Sequence, residues 1–184
     1  MRVVGGSLRG RALAGPKSAA IRPTADRLRE SLFNILVHAC GDLVTGARVL
    51  DLFAGTGALG IEALSRGAGF ALFVDQSAEA RALLCENVTV LGLGGTSRIF
   101  RRDATKLGPL HPLEPFSLAF LDPPYGQGLA LAALSSALGG GWLVPGALIV
   151  IEETTRARFA APTEFTELDR RTYDDTELIF LRSS

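Results

Sequence analysis

VLDLFAGTGALG, residues 49–60, is an apolar run that breaks into closely spaced glycines and then resumes as a helix-forming segment. The run ARVLDLF lacks polar alternation and reads as a strand buried on both faces. Gly55, Gly57 and Gly60 then fit G-x-G-x-x-G, with a strand before and a helix after, the context that gives the motif its meaning. Glycines there permit a tight turn and close backbone approach to a ligand, which faces the free N–H groups of the following helix. Asp75 ends the next apolar run, FALFVD, twenty residues beyond Gly55. A carboxylate at that place takes both hydroxyls of a ribose. The stretch therefore predicts a nucleoside cofactor at the carboxyl edge of a parallel sheet.

Working outward, the alternation continues. ALGIEALSRG predicts a helix that stops at Gly67, and a second helix runs from about Ser77 to Leu91. SRIFRRD and SLAFLD are strands, GLALAALSSAL is helical, and ALIVIEE is a strand. Strands separated by helices imply a mostly parallel sheet covered on both faces, an α/β fold of Rossmann-like type. FTELDRRTYDD and TELIFLRSS alternate more, and they predict an antiparallel pair meeting at Asp174-Asp175 at the sheet edge. Before the sheet, ADRLRESLFNILVHA places Leu28, Leu32, Ile35, Leu36 and Ala39 on one helical face, with Thr24 as N-cap. The first segment, RVVGGSLRGRAL, reads as a hairpin or irregular arm. The expected division is a basic arm over residues 1–22 and one α/β domain over 23–184.

The bulk properties agree with a globular enzyme-sized chain. Of the 184 residues, 47% are apolar and 21% charged, which excludes a disordered chain. No apolar stretch has the length of a membrane span, and the start has no apolar signal core, so the expected compartment is the cytoplasm. Cys40 and Cys85 are isolated, which argues against a structural zinc site and reads as two reduced core thiols; no metal is expected. The net charge is zero but uneven. Residues 1–30 carry seven basic side chains, including Arg2, Arg9 and Arg11, against Asp26 and Glu30. A basic head on an acidic body fits a polyanion, although charge alone is equally consistent with a solvated set of arginines.

The glycine loop suits either NAD or S-adenosylmethionine. Asp51, Asp75, Asp103 and Asp122 fall at four successive strand ends. Four acids at one edge are poor partners for a pyrophosphate and good ones for a sulfonium with an ammonium. Asp51 is placed to face the ammonium and Asp103 to lie near the adenine, with the loop residues Ala54, Gly55 and Gly57 against the cofactor.

The fourth strand ends in LDPPYGQ, residues 121–127. Neither proline has an N–H, so both lie outside the ladder and stiffen the chain after Asp122. With DLFAGTG upstream, LDPPY resembles the class I methyltransferases that modify exocyclic nitrogens of bases. In that chemistry Asp122 and the carbonyl of Pro123 accept hydrogen bonds from the target NH2, and Tyr125 stacks on a base drawn out of its helix. The stretches VVGGSLRGRAL, IRPTADRLRESLFNIL, VLDLFAGTGALGIEALSRGA and GWLVPGALIVIE extend the likeness to residue 152 or so. They resemble the bacterial small-subunit ribosomal RNA guanine-N2 methyltransferases of the RsmD type. The resemblance implies a seven-stranded sheet with an antiparallel C-terminal strand, and S-adenosylmethionine as donor. It implies as target the N2 of one guanine of 16S ribosomal RNA, conventionally numbered 966, in the small subunit or an assembly intermediate. It also implies that Arg22 and Thr24 touch the methionine tail of the cofactor. Arg2, Arg9 and Arg11 are expected to grip phosphates without reading sequence. The expected state is a monomer.

The competing readings are distinguishable on residues. A DNA adenine-N6 methyltransferase shares DPPY but usually carries a recognition insert, and no segment here is long enough. A glutamine methyltransferase is typically NPPY. An NAD-dependent oxidoreductase uses the glycine loop and leaves DPPY idle, and a non-catalytic RNA-binding module needs no intact cofactor pocket.

Overall fold

The computed structural model describes residues 1–16, 23–39 and 41–184, with the backbone alone for 23–25. Seven strands form one sheet: β1 (Arg48–Leu52), β2 (Phe70–Val74), β3 (Ser97–Phe100), β4 (Phe116–Leu121), β5 (Leu143–Thr154), β6 (Phe165–Tyr173) and β7 (Thr176–Ser183). Their order is β3-β2-β1-β4-β5-β7-β6. The first five are mutually parallel, and β7 runs antiparallel to both β5 and β6. The turn at Asp174-Asp175 joins β6 to β7 as the alternation implies, with Asp174 in the left-handed region at φ 54°.

Alternate residues of each buried strand feed opposite cores, as a period of two requires. Val49, Ala71, Phe73, Leu118 and Phe120 pack under α1 (Pro23–Asn34), α2 (Ala58–Ser65) and α3 (Ala78–Val90). Leu50, Leu52, Leu72, Ala119 and Leu121 pack on the other face with Trp142 and with α4 (Leu129–Gly139). The apolar runs have no polar alternation because both faces are covered.

Three local expectations are corrected. The first helix begins at Pro23, so Thr24 lies inside its first turn and is not the N-cap; proline suits that position because its missing N–H has no helical partner there. After Asn34 the helix widens into a π-helical turn over Ile35–Ala39, which shifts the phase of the apolar stripe, and Ala39 faces solvent. Cys85 is exposed, since α3 turns Leu84, Asn87 and Val88 inward. Cys40 falls outside the described residues.

The segment before α1 closes on itself by a bridge between Arg2 and Ala12, and Val3 and Leu13 enter the core. It is stitched to α2 and α3 by three buried polar side chains. Glu62 accepts the Val4 N–H at 2.9 Å; Ser65 Oγ donates to the Gly5 carbonyl at 2.6 Å and accepts the Leu8 N–H at 2.9 Å. Asn87 Oδ1 accepts the Ala14 N–H at 2.7 Å, and its Nδ2 donates to the Ala14 carbonyl at 3.1 Å. Among the described residues no helix is long and apolar enough to cross a membrane.

Candidate active site

β1 and β4 are neighbours, but the helices that follow them lie on opposite faces: α2 over one core, α4 over the other. The chain therefore parts at their carboxyl ends and leaves a crevice, the usual ligand position in open α/β sheets. Two adjoining hollows occupy it, of about 200 Å³ and about 460 Å³, and they share Phe53 and Asp122 as walls.

The inner hollow is bounded by Asp51, Ala54, Gly55, Asp122 and Glu152, and on the outer side by Met1, Leu28 and Arg29. Gly57 opens α2 in the left-handed region, at φ 81°, with no side-chain cap. That leaves the first N–H groups of α2 facing the loop side. Gly60 serves close packing: a Cβ there would lie 2.4 Å from the Phe73 ring and 3.0 Å from Asp51 Oδ2. In its absence Asp51, only 1% exposed, accepts the Gly60 N–H at 2.9 Å. Asp75 braces the loop, its Oδ2 accepting the Gly55 N–H at 2.9 Å and its Oδ1 the Ser77 N–H at 2.8 Å. Each of these oxygens keeps a second lone pair for a ligand.

The outer hollow is bounded by Phe53, Asp75, Ser77, Asp122, Pro123, Pro124 and Tyr125. Tyr125 is 46% exposed and donates its hydroxyl to Glu152 Oε1 at 2.7 Å. Gly126 N–H bonds Glu153 Oε1 at 3.1 Å.

Of the four strand-end acids, Asp51, Asp75 and Asp122 converge on the crevice. Asp103 does not wall either hollow. It sits three residues past β3 and caps a short 3₁₀ turn, accepting the Thr105 hydroxyl at 2.7 Å and N–H at 2.9 Å, which hold its carboxyl below the ordinary range. Arg22 lies outside the described residues, and Thr24 is described only by its backbone. Arg2, Arg9 and Arg11 are all exposed; Arg2 lies 4.0 Å from Asp26, and Arg11 donates to the Val90 carbonyl at 3.2 Å. Arg2 and Arg9 also line a separate hollow of about 700 Å³ with Arg27, Asp26 and Glu30. Among the described residues no three His, Cys, Asp or Glu side chains are gathered to hold a metal.

The sequence reading missed four residues of the crevice. Phe53 is held at φ 59°, a costly conformation for a bulky side chain, and stands between the hollows. Met1, Arg29 and Glu152 reach the site from distant parts of the chain. Nothing local in the sequence marks Met1 or Arg29, and Glu152, in the strand ALIVIEE, is brought to the DPPY turn by the pairing of β5 with β4.

Electrostatically the crevice is strained. Burial pushes the Asp51 carboxyl up to about 8, opposed by the Gly60 hydrogen bond and assisted by Asp75. Asp122 keeps contact with water through the groove, yet the surrounding protein desolvates its carboxyl, and Glu152, Asp51 and Glu153 repel its charge. Its pKa stands well above the ordinary value. Burial raises Glu152 also, against the hydrogen bond from Tyr125. Arg29 offers these acids little relief, being tied to Asp26 at 2.9 Å and Glu62 at 3.5 Å.

The buried Asp51 makes stability depend on pH. With a folded pKa above its unfolded value, Asp51 binds a proton more tightly in the folded chain. Its contribution to stability is complete below about pH 4 and is lost as pH rises toward 8. The ligand-free protein is expected to weaken across that window, with a slope of at most about 1.4 kcal/mol per pH unit for this group. Urea unfolding from pH 5 to 9 measures the slope, and Asp51→Asn should flatten it. An identical slope in the variant would remove Asp51 as its source.

Comparisons with known proteins agree with this geometry. The sequence pattern of the family described as "Conserved hypothetical protein 95" matches residues 1–182. The "Ribosomal RNA small subunit methyltransferase D" of Escherichia coli K12 is 38% identical over 152 residues, covering 83% of this chain and 74% of that protein. The "Putative rRNA methyltransferase YlbH" of Bacillus subtilis is 42% identical over 129 residues, 68% of this chain and 67% of that one. Among solved structures, the "Putative methyltransferase yhhF from Escherichia coli" superposes with a TM-score of 0.84 at 31% identity, covering 100% of this chain and 97% of that one.

Proposed function

Because this chain belongs to the "Conserved hypothetical protein 95" family, the RsmD-type methyltransferases, we propose that it methylates ribosomal RNA, with S-adenosylmethionine as donor and the N2 of one 16S guanine as acceptor. The observation that carries the reading is the pairing of two strand ends. The DPPY turn after β4 stands across one crevice from the glycine loop after β1, and Asp51, Asp122 and Glu152 line the wall between them.

The acids also supply the test of fit for the donor. Desolvation raises Asp51, Asp122 and Glu152, and neighbouring carboxylates add to the rise at Asp122 and Asp51, so the inner hollow favours a cation and disfavours a pyrophosphate. When bound, the donor supplies a methyl group on a cationic sulfonium. Asp51 and the inner hollow would hold its methionine end, and Asp75 its ribose, at the mouth of the outer hollow. The acceptor amine is a poor nucleophile because its lone pair is delocalised into the base. Asp122 and the Pro123 carbonyl accept hydrogen bonds from that NH2 and draw the nitrogen toward tetrahedral geometry. Pro123 and Pro124 keep those acceptors rigid, and the Tyr125 ring fixes the plane of the flipped base. Asp122 also stands where it can receive the proton the amine loses. Arg2, Arg9 and Arg11, exposed on the segment packed over α2 and α3, would bind RNA phosphates. The short chain leaves specificity to the shape of the folded RNA.

The test is methyl transfer from radiolabelled S-adenosylmethionine, offered in parallel to small subunits lacking the modification, naked 16S RNA and duplex DNA. N2-methylguanosine at a single site is expected from subunits. N6-methyladenine from DNA would overturn the substrate and keep the chemistry. Binding of NAD in place of the donor, with no transfer, would overturn the reaction.

A further inference from the structure

Glu152 and Glu153 end β5 beside β4 and hold the DPPY turn from two sides. Successive strand residues point to opposite faces, so the two carboxylates separate. Glu152 Oε1 takes the Tyr125 hydroxyl at 2.7 Å, while Glu153 Oε1 takes the Gly126 N–H at 3.1 Å and the Thr154 N–H at 2.9 Å. Glu153 is 2% exposed and anchors the backbone just after the ring. Tyr125, by contrast, is 46% exposed, and packing alone leaves such a ring free to change rotamer. Its hydroxyl bond to Glu152 ties the ring tip to the sheet. Glu152 itself walls the inner hollow with Asp51 and Asp122.

Resting on the methyltransferase reading above, we propose that Glu152 is a positioning residue: it holds the Tyr125 ring so that the stacked base presents its amine to Asp122. Glu152 acts through the phenol and does not touch the reacting atoms. The role depends on a hydrogen-bond acceptor at the end of the side chain and not on its charge, so glutamine preserves it and alanine does not.

Four variants test the role: Glu152→Ala, Glu152→Gln, Tyr125→Phe, and Glu152→Ala combined with Tyr125→Phe. Glu152→Ala is expected to lower kcat on the RNA substrate by about 10- to 100-fold, the scale of a small misplacement of reactants. Donor affinity should fall by less than kcat does, because Asp51 and Asp122 still wall the inner hollow. Tyr125→Phe, which keeps the ring and loses the hydroxyl, should match it. The double variant should be no slower than Tyr125→Phe alone, because that change already removes the phenol through which Glu152 acts. Glu152→Gln should recover most of the loss. A second readout needs no turnover. The chain has two tyrosines, so ring-labelled tyrosine gives two nuclear magnetic resonance signals. The Tyr125 signal should move in Glu152→Ala, and that of Tyr173 should stay. Multiplying losses in the double variant, a Tyr125 signal unmoved, or a loss confined to donor affinity would each overturn the role. Absence of transfer by the unaltered chain would instead count against the methyltransferase reading, and the ring signal would then decide the anchor by itself.

Discussion

Asp122→Ala is expected to stop methyl transfer and to leave the donor bound. The expected loss in single-turnover rate is about 10²- to 10⁴-fold, the range for removing a positioned acid–base or charge-stabilising group. The argument rests on where Asp122 sits. Its N–H makes the last contact from β4 to β1, to the Leu52 carbonyl at 3.5 Å, so its side chain projects from the switch point into the crevice. No other acid walls both hollows with the DPPY turn. Donor binding survives because Asp51, Asp75 and the glycine loop are untouched, and calorimetry should find its affinity within about tenfold, the effect of one partner group. Folding should survive too. The Asp122 carboxyl is held above its ordinary range by desolvation and by Glu152, Asp51 and Glu153, so its removal relieves repulsion, and urea unfolding should show a variant no less stable than the parent. Asp122→Asn keeps one acceptor oxygen and loses the charge, and its rate should fall between the two. A rate for Asp122→Ala within tenfold of the parent would remove Asp122 from the chemistry.

The residues that make this prediction were legible in the chain for a physical reason. Strands buried on both faces leave apolar runs, and a glycine loop or a proline pair interrupts them at fixed places. VLDLFAGTG and LAFLDPPY therefore announced both strand ends and their acids. Pairing then brings the two ends together, because β4 lies beside β1 in parallel. What stayed hidden depends on partners far away in sequence. Glu62, Ser65 and Asn87 looked like ordinary polar positions on α2 and α3, because their partners Val4, Gly5, Leu8 and Ala14 lie 57 to 73 residues earlier. The left-handed backbone of Phe53 is one that a bulky side chain does not announce. Asp103 ends the run SRIFRRD as the other three acids end theirs, and its Oδ1 is engaged locally by Thr105, two residues on.

Glu62→Ala is expected to cost about 3–5 kcal/mol of stability, the scale for removing one partner of a buried ion pair, and to release the N-terminal segment. Glu62 is fully buried on α2 and gathers three elements. Its Oε2 accepts Val4 N–H at 2.9 Å and lies 3.5 Å from Arg29 Nε on α1, while Oε1 accepts Arg66 Nε at 2.8 Å. Alanine would leave the Arg29 guanidinium, itself 5% exposed, with Asp26 as its acidic partner among the described residues and the Val4 N–H without its acceptor. Glutamine retains an acceptor but not the charge, so Glu62→Gln should cost less. The loss reaches the site, because Met1 and Arg29 form the outer wall of the inner hollow. Released, the segment no longer covers that hollow, and donor affinity should fall although no residue beside Asp51 has changed. Urea unfolding measures the first effect. Limited trypsin digestion measures the second, since Arg9 and Arg11 become cleavable ahead of the body of the protein. A variant that unfolds within about 0.5 kcal/mol of the parent, the scatter of ordinary surface changes, and resists trypsin equally would show that the apolar contacts of Val3 and Leu13 hold the segment without Glu62.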